Sequence, residues 1–406
     1  MGRYHFLPLK MVFMILVVML GMALPGFPKT LAKSDGTEIE AEIKQVVHMQ
    51  SEAVNKGDWE QFKRLLWKSD RTYIQERKRW FEDAVSYIDR GTFHMEVESI
   101  APYKPGLLQV WIHQSYEQEG VRHTVRFPLI YQQTAGGWKD SDLPFYTMSR
   151  ENVIVKYTDK RLSEQASVAL DVVEKSLEAF KKRLDWEPDK AIQIKLYHQK
   201  EMFRQSVKLS LPNWAAGWNE RGQAIKFVGS VNSTDSDTFA SGIVHEITHR
   251  VISDLSHDNA AYWMQEGLAE YYQRHLLPGL RLQGSDPLRK PHWTFEKLER
   301  LNLETLPAEE ARLYYLHSYD MVRLFMKEYG EEELKEWCEA LKMYPDIDEE
   351  SAAKIPELNT RTREAFEKAT RQPFKSFVND WFSQYEHLKS MYEFKKRQSY
   401  KFPLAI

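Results

Sequence analysis

Apolar positions set out the elements before any chemistry is considered. Ile39, Ile43, Val46 or Val47, then Gln50 and Val54, recur every three to four residues up to Asn55-Lys56-Gly57. That spacing predicts an amphipathic helix. Gly57 suits a left-handed cap, and Asp58 can cap a second helix with Trp59, Phe62 and Leu66 on its inner side. After a third helical stretch the period drops to two. Phe93, Met95 and Val97 alternate with polar residues, as do Leu108, Val110 and Ile112, then Val121, Val125, Phe127 and Leu129. Gly136-Gly137 marks a turn before Trp138. Helices followed by an antiparallel meander predict an α+β layer structure over 36–150.

A second domain, 151–395, begins with a strand at Val153-Ile154-Val155, a long amphipathic helix from Leu162 to Leu184, and a strand at Ile192–Tyr197. The turn-rich stretch Asn213–Asn219 precedes another strand, Gln223–Val228. Next comes a stripe of Phe239, Ile243, Ile247, Val251 and Leu255, one apolar residue every four, which predicts a helix with its core face along that line. Ser236, Asp237 and Thr238 offer N-caps. Beyond it the pattern is helical again, through Leu313–Phe325, with Gly330 as a stop, to a closing pair around Arg363–Thr370 and Phe377–Trp381. About 370 residues after the N-terminal segment exceed what one core usually serves, so two domains are expected.

The helix at 239–255 carries His245-Glu246-Ile247-Thr248-His249. Residues four apart stack on one helical face, so both imidazoles can aim at one point with Glu246 beside it. This suits a zinc ion held by two neutral imidazoles, with a carboxylate poised to deprotonate a water. A chain with 13 histidines can carry such a string by chance, so the segment downstream decides. A metzincin would place Gly and His three and six residues after the second histidine; here those positions are Ile252 and Leu255. His257 lies in the polar run Ser256–Asn259, which reads as a turn.

Instead, Trp263-Met264-Gln265-Glu266-Gly267-Leu268-Ala269 follows on a helix expected from about Ala260. HExxH followed by Trp-x-x-Glu-Gly-x-Ala resembles the gluzincin pattern. The resemblance implies zinc held by His245, His249 and Glu266, with Glu270 orienting a ligand imidazole through its other ring nitrogen. The order of segments over 151–390 is similar to the peptidase MA-like family of bacterial exported proteins. By position in that pattern, Tyr315 is the candidate oxyanion stabiliser, with Tyr314, His317 and Tyr319 as rivals. The implied fold is a small sheet, an HExxH helix and a helical C-terminal part. The implied activity is peptide hydrolysis, in which Glu246 takes a proton from a zinc-held water and passes it to the leaving amine. The strand Ala224–Val228 is the expected edge for an extended peptide. No carboxylate-bearing loop for a free amine is visible before His245, which favours an endopeptidase or a processing role.

The first domain is similar to NTF2-like domains: an opening helix, the phrase Glu52–Trp59, and a curved sheet ending in Gly-Gly-Trp-Lys. Such domains often serve as interaction modules, so a protein partner through 36–150 is expected. An alternative keeps the zinc but makes the chain a binding or scaffold protein with little turnover. His94, His113 and His123 occur singly on strands and read as surface or packing residues.

Charge and targeting complete the expectations. A net charge of -3 with interspersed signs points away from nucleic acid. Arg3 and Lys10 precede the apolar run Met11–Leu24, and Thr30-Leu31-Ala32 offers a cleavage site, so residues 1–32 read as a signal peptide or an uncleaved anchor. Export follows, with membrane contact only through that segment. The single cysteine, Cys338, makes no internal disulfide and reads as a packed helix residue.

Overall fold

The computed structural model describes residues 36–230, 236–280, 291–347 and 353–385. The apolar run 11–24 and its flanks lie outside them. Among the described residues, no helix is long and apolar enough to cross a membrane.

The chain is mixed α+β. Helices α1 (Gly36–Lys56), α2 (Trp59–Arg64) and α3 (Arg71–Tyr87) precede the strands β1 (His94–Lys104), β2 (Leu107–Gln118), β3 (Val121–Thr134) and β4 (Gly137–Asp140). These four form one antiparallel sheet in sequence order. Gly57 sits at φ +68°, and Asp58 accepts a hydrogen bond from the Gln61 amide at the start of α2. Ile43, Val47, Phe62, Trp80 and Phe93 fill the space between helices and sheet.

The second sheet has the order β5 (Tyr146–Arg150), β6 (Val153–Tyr157), β7 (Ile192–Tyr197), β9 (Ile225–Val228), β8 (Gly217–Trp218). Strands β6, β7 and β9 are parallel; β5 and β8 run antiparallel at the two edges. β5 lies before residue 150 but hairpins onto β6, and from Glu42 onward both sheets belong to one compact unit. Helix α4 (Ser163–Leu184) packs on the apolar face of this sheet, and α5 (Lys200–Val207) leads towards β8.

Helix α6 (Ser236–Ser256) carries the expected stripe: Ile243, Ile247 and Val251 are fully buried, with Phe239 and Leu255 packed against the same core. Ser236, Asp237 and Thr238 are themselves helical, within α6 rather than ahead of it. His257 and Asp258, both in the left-handed region at φ +52° and +59°, turn the chain into α7 (Tyr262–His275). The rest is helical: α8 (Phe295–Leu298), α9 (Ala308–Glu328), α10 (Gly330–Lys342), α11 (Lys354–Thr370) and a stretch at 374–385. Tyr329 lies between α9 and α10, Gly330 opens α10 at φ +87°, and Cys338 is buried in α10. Trp263 anchors this part against Phe295, Trp337 and Phe374.

The other face of the second sheet is polar at its centre. Lys156, Lys195 and Lys226 stand in register on three neighbouring strands. Helix α3 covers them. Lys195 Nζ lies 2.5 Å from both Glu76 Oε2 and Asp142 Oδ2, Lys226 lies 3.4 Å from Glu76 Oε1, and Lys156 lies 3.8 Å from Asp70. Lys195, Lys226 and Glu76 are at most 2% exposed. Burial opposes the Lys195 charge, but Asp142 and Glu76 outweigh it and raise its pKa well above the ordinary range. Burial likewise opposes the Glu76 carboxylate, and the two lysines outweigh it and hold its pKa low.

Candidate metal centre

One turn of α6 and one turn of α7 build the centre. His245 and His249 are stacked on α6 with Nε2 atoms 3.1 Å apart. From α7, Glu266 Oε2 lies 3.3 Å from each. The three residues are 12–14% exposed and form the one group among the described residues with metal-ligating geometry.

These separations can be compared with what an ion would need. Zinc with nitrogen and carboxylate ligands at about 2.0–2.1 Å in a tetrahedron has ligand–ligand edges of about 3.3–3.4 Å. The triangle of 3.1, 3.3 and 3.3 Å matches. Glu266 Oε2 is buried and close to both rings, yet makes no well-directed hydrogen bond. A buried orphan carboxylate oxygen is costly unless a cation meets it. The donor set therefore fits a small tetrahedral divalent cation. Burial opposes charge on His245, but Glu266, with Glu246 and Glu270 behind it, overcomes this and raises the pKa to about 9. Burial also opposes the Glu266 carboxylate, and the His249 and His245 rings bring it down to about 2.

Glu246 stands beside the triangle without belonging to it. Burial raises its pKa, against the pull of His249 and His245. Gly217 of β8 makes room for it, since a Cβ there would collide with the Glu246 carboxylate. Glu270, one turn beyond Glu266, places Oε1 3.6 Å from His245 Nδ1. Gln273 donates to the same Oε1 at 3.2 Å, and Arg274 holds the other oxygen, Oε2.

Gly267 explains the residue after Glu266. A Cβ there would strike the Ser318 carbonyl oxygen and approach Val322 Cγ2 within 2.6 Å. The missing side chain lets α7 touch the backbone of α9, which brings Tyr315 to the centre. The Tyr315 ring lies edge-on to His245 with centroids 6.0 Å apart, and Trp214 packs on its other side at 6.3 Å. Burial, with Glu266, Glu246 and Glu270 nearby, keeps its hydroxyl protonated well above the usual range. The rivals sit elsewhere. Tyr314 is core, His317 is buried between Trp293 and Trp381, and Tyr319 lies over Arg274.

The centre opens into a cleft of ≈ 830 Å³. One wall is the segment from Leu211 to Gln223, including Trp214, Gly217 and Trp218; Arg79 of α3 reaches in as well. The expected edge strand is corrected here. Ile225–Val228 is flanked on both sides, by β7 and by β8, so the sheet edge beside the cleft is Gly217–Trp218. Sequence spacing could not reveal a two-residue strand that closes over its neighbour. Of the strand histidines, His94 pairs with Glu96 and His123 stacks on Tyr116, far in sequence from the centre.

No protein-family model and no curated protein matches the chain.

Proposed function

We propose that the chain is an exported zinc metallopeptidase of the gluzincin type, carrying an NTF2-like N-terminal part. The observation that carries this reading is Glu246. A metal that served structure alone would have no use for a buried carboxylate beside its ligands, held in a niche that Gly217 leaves open. His245, His249 and Glu266 would hold the ion. Zinc in such a set supplies Lewis acidity, polarising a carbonyl oxygen and acidifying water.

The remaining steps belong to the chain's own residues. A Glu246 oxygen accepts the proton of the attacking water and returns it to the leaving amine nitrogen, so one carboxylate serves as base and then acid. The Tyr315 hydroxyl, protonated at working pH, donates a hydrogen bond to the oxygen that gains negative charge. Glu270 keeps the His245 ring in place from behind. The edge strand Gly217–Trp218 beside an open cleft supports an extended peptide as substrate over an enclosed small molecule.

The test is Glu246→Gln on residues 33–406. About one zinc per chain in parent and variant, with cleavage of a peptide library lowered about 10²–10⁴-fold in the variant, is the expected result. Equal cleavage by both proteins would sink the proposal. Zinc in both with no cleavage by either would transfer the case to a binding protein.

A further inference from the structure

Helix α3 belongs to the N-terminal sheet's half of the molecule, yet one of its faces is spent on the cleft wall. Asp83 Oδ2 accepts from the Leu209 amide at 2.6 Å and the Ser210 amide at 3.1 Å, and the Ser210 hydroxyl donates to Oδ1. Arg79 Nε donates to Glu220 at 2.9 Å. Glu76 Oε1 accepts from the Ala224 amide at 3.2 Å. Gly222, at φ +77°, comes so close to Gln75 that a Cβ would lie 3.1 Å from its Oε1. Residues 75, 76, 79 and 83 follow one helical stripe. Read along α3 from 83 to 76, their partners run from 209 to 224, the length of the wall.

We infer that α3 is a positioning element of the cleft, clamping the wall Leu209–Ala224 at its start, near its end and at its end. Between those points the wall carries Trp214, which packs on Tyr315, Gly217, which faces Glu246, and Trp218, which lines the cleft. It has further ties: Lys208, just before it, reaches Glu304 at 2.5 Å, and the Trp214 indole donates to the Leu306 carbonyl at 3.0 Å. Arg204 of α5 donates to the Leu209 carbonyl and to Asn213 Oδ1, and Gly217–Trp218 pairs with β9. The wall thus has several supports, and α3 is the one that meets it at both ends. A backbone held at both ends presents its edge in one geometry, which lowers the ordering cost of adding a strand to it. The N-terminal half would then be part of the cleft's construction. The activity consequence rests on the peptidase proposal; the mechanical one does not.

The experiment is hydrogen exchange with mass detection on the full chain, comparing the parent with Asp83→Ala, Asp83→Asn and Arg79→Gln. In Asp83→Ala the amides across 209–224 should exchange about tenfold faster, while those of α6 and the metal content stay as in the parent. Asp83→Asn keeps an oxygen that accepts from Leu209 and Ser210, and should restore most of the protection. Arg79→Gln should loosen 217–224 and leave 209–210 protected, which keeps the clamp testable if Asp83→Ala does not fold. With a cleavable peptide, Asp83→Ala should raise KM about fivefold with little change in kcat. Faster exchange confined to Leu209 and Ser210, or none, overturns the clamp. Absence of cleavage in the parent would count against the peptidase proposal alone, because exchange and metal content are read without turnover.

Discussion

Lys195 and His245 are both buried basic groups facing carboxylates, and their surroundings differ in one respect. Around Lys195, two lysines meet two carboxylates, and Glu76 and Asp142 each face a positive nitrogen within 2.5 Å. The charges cancel, and the cluster is closed. Around His245, the carboxylates of Glu246 and Glu266 face two imidazoles that are neutral in their ligating form, and the charge of Glu270 is taken by Arg274. Two nitrogens with like roles point at each other across 3.1 Å, and Glu266 Oε2 is left without a directed donor. A buried cluster that closes on itself serves folding. One that brings two imidazoles and a carboxylate oxygen to a single point, with a second carboxylate beside them, has the donor set of a cation site.

The sharpest way to break this contrast is to open the closed cluster. Glu76→Gln leaves Lys195 and Lys226 with one carboxylate between them, and removal of one partner from a buried ion pair costs about 3–5 kcal/mol. Urea unfolding of the metal-free proteins should show that loss, with metal affinity unchanged. Acid should shrink it. Because Glu76 is held below its ordinary value of 4.5, its contribution is complete above that value and lost as pH falls through the depressed one. The gap between parent and Glu76→Gln should therefore be constant near neutrality and close in acid. Metal loading should also weaken in acid, for the separate reason that imidazole donors must be free of protons. A gap that stays open in acid would mean that packing, and not charge, holds α3 to the sheet.

The next effect falls on turnover. Tyr315→Phe removes a hydroxyl and little else from the aromatic contact with His245 and Trp214. If that hydroxyl meets developing charge, kcat falls about 10²–10³-fold, worth about 2.7–4 kcal/mol, with metal content and KM almost unaffected. A variant as fast as the parent would leave Tyr315 a packing residue and remove it from the proposed mechanism.

The two clusters were unequally legible in the sequence. The open one lies on two neighbouring helices, where spacing of four residues fixes which side chains share a face. His245 with His249, and Glu266 with Glu270, could therefore be paired from their positions alone, while joining the two pairs rested on the resemblance to the gluzincin pattern. Tyr315 was one of four options on α9, because helical spacing leaves open which flank of a helix meets a partner 50 residues earlier. The closed cluster draws Glu76, Asp142, Lys195 and Lys226 from four separate elements. Its only trace was a lysine at the centre of each of three strands that alternate with apolar residues, at 156, 195 and 226. Period-two alternation reads such lysines as facing water. Only the docking of α3 over that face reverses the reading, and docking depends on long-range contacts that no local pattern carries. The same blindness hid β8, since Gly217–Trp218 is too short to show a period and is recognisable only by its pairing with Lys226–Phe227.

The smallest effect tests whether the open cluster is prepared in advance. Glu270 Oε1 reaches towards His245 Nδ1 at 3.6 Å while Gln273 donates to that oxygen and Arg274 holds Oε2. That arrangement would fix the ring orientation and direct Nε2 at the shared point with His249 and Glu266. Glu270→Ala should then weaken metal affinity about 10–100-fold, measured by competition with a chromophoric chelator. Glu270→Gln, which keeps an oxygen to accept from Nδ1–H, should fall between the two. The loss of fold stability should stay well below that of Glu76→Gln, because Arg274 is a neighbour on the same helix and can turn to solvent when its partner is gone. Equal affinity in parent and Glu270→Ala would mean that packing against Tyr315 alone orients His245, and that the centre needs no carboxylate behind its histidine.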